Sequence, residues 1–299
     1  MTGVQTCALP IFLHQKLRDN GRRLQDEAGA PLYGIKSGLD SVFVVTRSVR
    51  DSLIRADSTS THLLKPYLEG RDLRRWRADS QDLWLIYIPR NAVDIDRFSA
   101  IKAHLEPHKV ALEARATKQA WFELQQAQAA YAESFQSDCI MYADLSQHPK
   151  FCFVPGGAMP ATTVFAFPSN DACLLAILNS KAIWYQVTLM CPSVRGATYR
   201  LKRQYLNEIV IPSYSDDSRG TVASLAQSCQ SATESRGAMV KQFGHEILRD
   251  LALGGLTSKL PGVLQNWPLL DFAAFRSADR KSTRLNSSHP RLSRMPSSA

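Results

Sequence analysis

The chain has 299 residues, and its 36 Lys and Arg outnumber 27 Asp and Glu, which gives a formal net charge of +9. Hydrophobic residues make up 44% of the sequence, which is enough for a packed core and excludes a disordered chain. No apolar run is long enough to span a bilayer, so we expect no contact with a membrane.

The two ends of the sequence encode one DNA segment read in opposite orientations. Residues 279–289 read DRKSTRLNSSH, and the reverse complement of one set of codons for them translates, from a GTG start, as the MTGVQTCALPI of residues 1–11. This segment resembles a sequencing adapter. We therefore expect residues 1–11 and 279–299 to be adapter-derived and the natural ends of the protein to be missing. The tail carries five cations and one anion, so removing its +4 leaves +5, a mild excess that permits a polyanionic partner without requiring one.

Periodicity and turn signals predict the elements of the first half of the chain. They indicate a helix over 13–27, a strand around Val42–Val45, mixed helix and turn signals around Pro66, and a buried strand over Leu83–Pro89 that ends at the proline. Two further helices are predicted, over Ile95–Arg115 and Gln119–Phe135.

The second half begins with three short strands, CIMYA, FCFV and TTVFAF, separated by Pro- and Gly-containing turns. One helix is predicted from Asn170 or Asp171, as its N-cap, to Met190. The strand EIVIP follows, then a long helix over Gly220–Leu253 and a shorter helical stretch ending at Phe275. The order predicts a mixed α/β fold, with a body over 12–212 and a helical tail over 213–278.

Cysteine usage indicates a reducing compartment. Outside the adapter-derived ends five cysteines remain, an odd number with wide spacing and no C-x-x-C. This pattern favours free thiols over a disulfide framework, so we expect a cytoplasmic protein. The five are Cys139, Cys152, Cys173, Cys191 and Cys229.

Motifs of common enzyme classes are missing from the sequence. There is no phosphate-binding G-x-x-x-x-G-K-[ST], no dinucleotide-binding G-x-G-x-x-G and no nucleophile elbow G-x-S-x-G. The N-P-P-Y-like tetrapeptide of amino-methyltransferases is also missing. His104 and His108 are four apart, but Pro107 lies between them and further ligands are lacking. The sequence therefore predicts no catalytic residues and no metal site in this chain.

Basic residues interleaved with aromatic ones are the strongest functional signal. The first cluster surrounds Trp76, and the second includes Tyr199 and Tyr205. Arginine and lysine neutralise phosphates, and tyrosine can hydrogen-bond to them, so two such clusters favour nucleic-acid binding. The alternatives are a solvated surface for the first cluster and a helix end with compensating cations for the second. The cations are Lys65, Arg71, Arg74, Arg75 and Arg77 in the first cluster, and Arg195, Arg200, Lys202 and Arg203 in the second.

These residues also carry a resemblance to a known family. YGIKSGLDSVFVV, LLKPYLEGRDLRRW, LWLIYIP, WFEL before CIMYADL, LLAILNSK, RGATYRLKRQYLNEIVIP and NWPLLDFAAF follow one another in that order. In this order they resemble the TaqI-like C-terminal specificity domain of type IIG restriction-modification enzymes and related N6-adenine DNA methyltransferases. The resemblance spans nearly all of residues 33–275.

The resemblance implies a target-recognition domain that binds duplex DNA. It implies a missing upstream methyltransferase domain in the same chain, which would bind S-adenosylmethionine, so no cofactor is expected in this fragment. The parent protein would be a site-specific adenine methyltransferase, with or without endonuclease activity, and the fragment itself would be non-catalytic. Such an enzyme flips its target base and needs a second wall to hold the duplex.

Residue roles divide into contacts and support. Gly34, Gly38 and Gly196 are predicted to serve turns or close approaches, and Asn179 is predicted to satisfy backbone groups. The predicted DNA contacts are Lys36, Lys65, Arg71, Arg74, Arg75, Arg195, Tyr199, Arg200 and Lys202.

Two other functions are compatible with the same sequence. The chain could be one target-recognition half of a type I restriction specificity subunit, in which long helices space two such halves. It could also be an interaction module that docks a protein partner through its long C-terminal helix.

Overall fold

The computed structural model describes residues 15–250, 260, 262–271 and 273–277. Residues 1–11 and 279–299, which were predicted to be adapter-derived, and the last three residues of the predicted long helix lie outside the described residues. The chain divides into two compact units, Met1–Gln230 and Ser231–Ala299. The predicted division at residue 212 remains a prediction.

Helices and strands both contribute to the first unit, which confirms the predicted mixed α/β class. The strands β1 to β15 are Gly21–Arg23, Leu32–Tyr33, Val44–Thr46, Leu64–Leu68, Leu73–Arg74, Arg77–Ala78, Leu83–Ile86, Cys139–Ala143, Leu145–Ser146, Cys152–Val154, Met159–Pro160, Val164–Phe167, Ser193–Arg195, Thr198–Arg200 and Val210–Pro212. The α-helices α1 to α9 are Leu24–Ala28, Asp40–Phe43, Arg47–Ala56, Ser99–Leu105, Lys109–Glu113, Ala172–Leu178, Lys181–Met190, Arg203–Leu206 and Asp216–Asp250. Short 3₁₀ helices cover Ser58–His62, Gly70–Asp72, Ile95–Arg97, Glu106–His108, Ala132–Gln136 and Gly262–Leu269.

Two four-stranded sheets form the frame of the first unit. One has the order β11-β4-β7-β3, with β11 parallel to β4 and the other pairs antiparallel. The other has the order β10-β8-β12-β2 and is antiparallel throughout. Smaller pairings join β13-β14-β9, β5-β6 and β1-β15.

The second of these sheets separates two hydrophobic cores. Every residue of β8 and of β12 is buried. Because successive side chains of a strand point to opposite faces, Met141 and Ala166 join one core while Tyr142 and Phe165 join the other. Tyr142 stacks on Phe165 with ring centroids 5.4 Å apart. Burial on both faces explains why these strands read as continuous apolar runs.

The helix predicted over Asn170–Met190 is interrupted in the structure. Asp171 is its N-cap, because its carboxylate accepts hydrogen bonds from the N–H groups of Cys173 and Leu174. The helix ends at Leu178, and a second helix starts after Ser180, whose hydroxyl caps it by accepting from the Ile183 N–H. The prediction of one continuous helix was wrong because two N-caps occur in the sequence, and the second starts a new helix.

Four other predicted elements also differ. The helix predicted over 13–27 is interrupted by strand β1, Gly21–Arg23, which precedes helix α1. Gln119–Phe135 is not a helix; its backbone bonds instead to neighbouring segments, as between Gln126 and Lys36. The apolar run Val42–Val45 splits between the end of helix α2 and the start of strand β3. Ile95–Arg115 is broken into short α and 3₁₀ helices. In each case tertiary contacts override local propensity.

The long C-terminal helix is confirmed as α9, Asp216–Asp250. In the second unit its end packs with residues after it, in a small core of Ile247, Leu248, Leu260 and Leu264. Among the described residues no single helix is long and apolar enough to cross a membrane, although the bent pair α6 and α7 meets that test on length and composition when taken together.

Candidate nucleic-acid interface

Three cations of the first basic cluster, Arg74, Arg75 and Arg77, lie on a two-stranded hairpin, β5-β6, whose loop is Arg75 and Trp76. Leu73 anchors the hairpin because it is completely buried. The Trp76 backbone adopts a left-handed φ of 75°, and its N–H donates to the Phe151 carbonyl over 3.0 Å. The hairpin loop is therefore fixed against the residue that precedes β10.

The cations of this hairpin have different partners. Arg77 donates to Asp79 over 2.8 Å and is largely buried, so its charge is used within the hairpin. Arg74 bonds to backbone carbonyls of its own turn and lies 3.9 Å from Asp79. Arg75 is exposed and donates to the Asn179 carbonyl over 2.8 Å. Arg71 is exposed beside Glu69.

Arg195, Tyr199 and Arg200 of the second basic cluster lie on the three-stranded sheet β13-β14-β9. Arg195 stands opposite Thr198 at the exposed end of the hairpin, where Gly196 has a φ of 58°. Tyr199 packs edge-on against Trp184, with ring centroids 5.8 Å apart. This contact attaches the hairpin to helix α7 and leaves Arg195 on the surface.

Asp144 lies close to two further cations of the second cluster, Arg200 and Lys202. Its carboxylate is 3.8 Å from Arg200 and 4.0 Å from Lys202. Its backbone carbonyl also accepts the Leu201 N–H over 2.7 Å. The two cations are thus held around a mostly buried carboxylate while about two fifths of each side chain stays exposed.

One stretch of chain, residues 144–151, contacts both clusters, and we call it the linking segment. Its strand β9 pairs with β14, placing Leu145 opposite Arg200. At its other end Phe151 accepts the N–H of Trp76. Thr163 adds a second connection, because its carbonyl accepts the Asp144 N–H and its hydroxyl accepts the Gly70 N–H. The fold therefore brings together two clusters that are far apart in sequence.

The linking segment adds two residues that the sequence did not predict, His148 and Lys150. Burial lowers the pKa of Lys150, and the charge of Arg74 lowers it further. Burial likewise lowers the pKa of His148, and Lys150 and Arg75 add to this effect. Both residues therefore lie within electrostatic range of the first cluster. The only signal in the sequence is the polar SQHPK between two apolar strands.

Eight of the nine predicted contacts belong to these two clusters, and Lys36 does not; Lys65 is a member of the first cluster but lies outside the β5-β6 hairpin. Lys36 is exposed, and its backbone pairs with Gln126. Lys65 lies in strand β4 opposite Leu85. Among the contacts between described residues, none joins either lysine to the linking segment. Their predicted contact with DNA remains a prediction.

A metal site and a ligand-binding cavity are the other kinds of site to consider in the described part of the chain. No group of three or more His, Cys, Asp or Glu side chains there could hold a metal ion. A wide, shallow groove of about 510 Å³ lies between helices α3 and α4, and none of its lining residues belongs to either basic cluster. What the two clusters offer is positive charge and planar N–H donors, which suit phosphate oxygens.

No family model matches the chain, and neither does any curated protein. Solved structures do match. The type IIL restriction-modification enzyme MmeI, in complex with DNA, aligns over 88% of this chain with 13% identity and a TM-score of 0.50. The type IIG restriction endonuclease BpuSI aligns over 73% with 13% identity and a TM-score of 0.46. The chain spans 33% of MmeI and 28% of BpuSI, so its fold is similar to that of one part of MmeI.

Proposed function

We propose that this chain recognises duplex DNA as the target-recognition part of a restriction-modification enzyme. The observation that carries the proposal is the meeting of two basic clusters around the linking segment, residues 144–151. Positive charge arranged along a surface is what sequence-independent contact with a phosphate backbone requires. Base contacts then select the sequence.

The fold supports the same proposal. MmeI is a restriction-modification enzyme with DNA bound, and this chain has the fold of about a third of it. The chain would accordingly act within a longer protein. The order of the family-like motifs, from the KPYLEG of the first cluster to the RGATYR of the second, agrees with a recognition domain.

The finer parts of the proposal come from the family resemblance. A cytoplasmic location is proposed from the cysteine usage instead. The parts that come from the resemblance are a methyltransferase domain in the same chain, S-adenosylmethionine bound in that domain, adenine N6 as the modified atom and a TaqI-like, type IIG relationship. Sequencing the source DNA through both adapter junctions tests them. An upstream N-P-P-Y-type motif supports a methyltransferase, whereas a second recognition domain without that motif supports a type I specificity subunit.

Duplex binding by the chain itself is tested by fluorescence anisotropy. The probe is a fluorescein-labelled duplex of about 24 base pairs, roughly two helical turns, titrated across a series of salt concentrations. We expect the affinity to fall as salt rises. In the Arg74→Glu/Arg75→Glu variant the slope of log K against log salt should shrink by about 0.9 for each lost phosphate contact.

The matched control reverses two exposed arginines outside both clusters, Arg90→Glu/Arg97→Glu, and should leave the slope closer to that of the unmodified chain. Failure of the unmodified chain to bind the duplex would refute the proposal. Salt-independent retention on heparin would favour a protein-interaction module. Equal effects of the two double variants would remove the β5-β6 hairpin from the interface.

A further inference from the structure

We propose that His148 and Lys150 complete an anion site with Arg74 and Arg75, and that this site holds one phosphodiester group of duplex DNA. The inference rests on the proposed function and adds two residues and a ligand group to it. It joins the β5-β6 hairpin and the linking segment into one binding feature.

Backbone hydrogen bonds fix the two halves of this site against each other. The Trp76 N–H donates to the Phe151 carbonyl over 3.0 Å, so the residues next to Arg75 and Lys150 are directly bonded. The buried Asn179 side chain holds Phe151 from its other side, with bonds of 3.2 and 2.9 Å to the Phe151 N–H and carbonyl. The Asn179 carbonyl in turn accepts from Arg75 over 2.8 Å.

The His148 end of the linking segment is also held. The Ser146 hydroxyl donates to the His148 carbonyl over 2.6 Å, and the Gln147 amide donates to the Thr198 hydroxyl over 3.0 Å. Ser146 itself is buried and pairs with Tyr199 in the three-stranded sheet. The loop that carries His148 and Lys150 is therefore attached at both ends.

The charges at this site have the same sign. The charged groups that act on His148 are Lys150 and Arg75, and the one that acts on Lys150 is Arg74. Asp79 lies 3.9 Å from Arg74, but it is also paired with Arg77 over 2.8 Å. The cationic groups of Lys150, Arg74 and Arg75 thus repel one another, and an anion placed among them would relieve this repulsion.

A phosphodiester fits this arrangement chemically. It carries one negative charge and two non-bridging oxygens that accept hydrogen bonds, and guanidinium and ammonium groups bind such oxygens with charge-assisted bonds. A guanidinium has five N–H donors, so the bond from Arg75 to Asn179 does not exhaust it. A protonated His148 would add one more charge.

The lysine is tested with Lys150→Ala in the full chain, using the same fluorescein-labelled duplex. One lost phosphate contact reduces the salt slope by about 0.9, which corresponds to about an eightfold loss of affinity at roughly 0.1 M salt. Lys150→Arg should restore most of the slope because it keeps the charge. Lys118→Ala removes an exposed lysine outside both clusters and is the control.

The histidine is tested by the pH dependence of binding. In the free protein the pKa of His148 is lowered, and a bound phosphate would raise it, so binding takes up a proton. The added affinity is then present at low pH and is lost as pH rises through the pKa of the complex. Histidines titrate between about pH 5.5 and pH 8. Over this range we expect the DNA affinity of the unmodified chain to fall as pH rises. The fall should be smaller in His148→Gln and unchanged in the control His62→Gln.

The outcomes separate this inference from the proposed function. If the unmodified chain binds the duplex but Lys150→Ala and His148→Gln behave like their controls, the anion site is refuted and duplex recognition stands. If the unmodified chain binds no duplex, both the anion site and the proposed duplex recognition are refuted. A loss of slope in Lys150→Ala that Lys150→Arg does not restore would assign Lys150 a structural role and refute the site.

Discussion

Asn179 gives the sharpest test of how the fold supports the interface. The residue is completely buried. Its amide oxygen accepts the Phe151 N–H over 3.2 Å and its amide nitrogen donates to the Phe151 carbonyl over 2.9 Å. These two bonds join the break between helices α6 and α7 to the end of the linking segment.

The cost of Asn179→Ala follows from the partners that remain. The Phe151 carbonyl keeps the Trp76 N–H as a donor, so losing the second bond costs only a typical net value of about 1 kcal/mol. The Phe151 N–H loses the acceptor that the Asn179 side chain provided, and a buried donor without a partner costs about 1–3 kcal/mol. We therefore expect the free energy of unfolding to fall by roughly 2–4 kcal/mol.

Urea unfolding followed by tryptophan fluorescence measures the total loss, and amide hydrogen exchange at Phe151 locates it. Asn170→Ala is the matched control, because Asn170 is exposed and surface substitutions usually change stability by less than about 0.5 kcal/mol. Equal stability of the two variants, with unchanged protection of the Phe151 amide, would refute the reasoning. Loss of protection only at Phe151 would show that the effect is local.

Two further predictions concern the interior. Gly34→Ala would place its Cβ 1.9 Å from the Ala161 carbonyl oxygen, so we expect the free energy of unfolding, measured with urea or heat, to fall by about 3 kcal/mol or more. The control is Gly220→Ala, because a Cβ at Gly220 has open space within helix α9. It should leave the stability unchanged or raise it. Burial raises the pKa of Cys139 to about 11 and that of Cys152 to about 12, above the ordinary 9.0. Iodoacetamide at about pH 8 should therefore modify the exposed Cys229 before Cys139 and Cys152, as mass spectrometry would show. Labelling of Cys152 without denaturant would contradict its burial. The buried thiols also make stability depend on pH: their contribution to the free energy of unfolding is present below the ordinary thiol pKa and is lost as pH rises through about 11 to 12.

The strands were the most predictable part of the fold. Residues 139–143 and 164–167 are apolar throughout because each strand is covered by a core on both faces. The prediction of a helix over Gln119–Phe135 was wrong because contacts distant in sequence determine the structure there. Its composition favours a helix, but the Glu123 carboxylate accepts the N–H of Asn91, 32 positions away, and such a long-range bond has no local signature.

The residue types of the candidate site could be predicted from the sequence, but the way in which the fold brings them together could be predicted only in part. Arginines mixed with aromatic residues marked both clusters, but their meeting depends on Phe151 and Thr163, which lie in neither motif. His148 and Lys150 belong to a short polar stretch that resembles any surface loop. Nothing local in the sequence relates that stretch to Arg74 and Arg75, because the relation is made by the folded backbone.

The bond between Arg75 and Asn179 joins residues 104 positions apart, and the bond between Gly70 and Thr163 joins residues 93 apart. Contacts of such high sequence separation form slowly, since a long loop must close before they contribute. A synthetic peptide with the sequence KPYLEGRDLRRW would keep four of the five cations of the first cluster, but it would form none of these long-range contacts. It would attract DNA as a flexible polycation does, whereas the arrangement of those charges belongs to the completed fold.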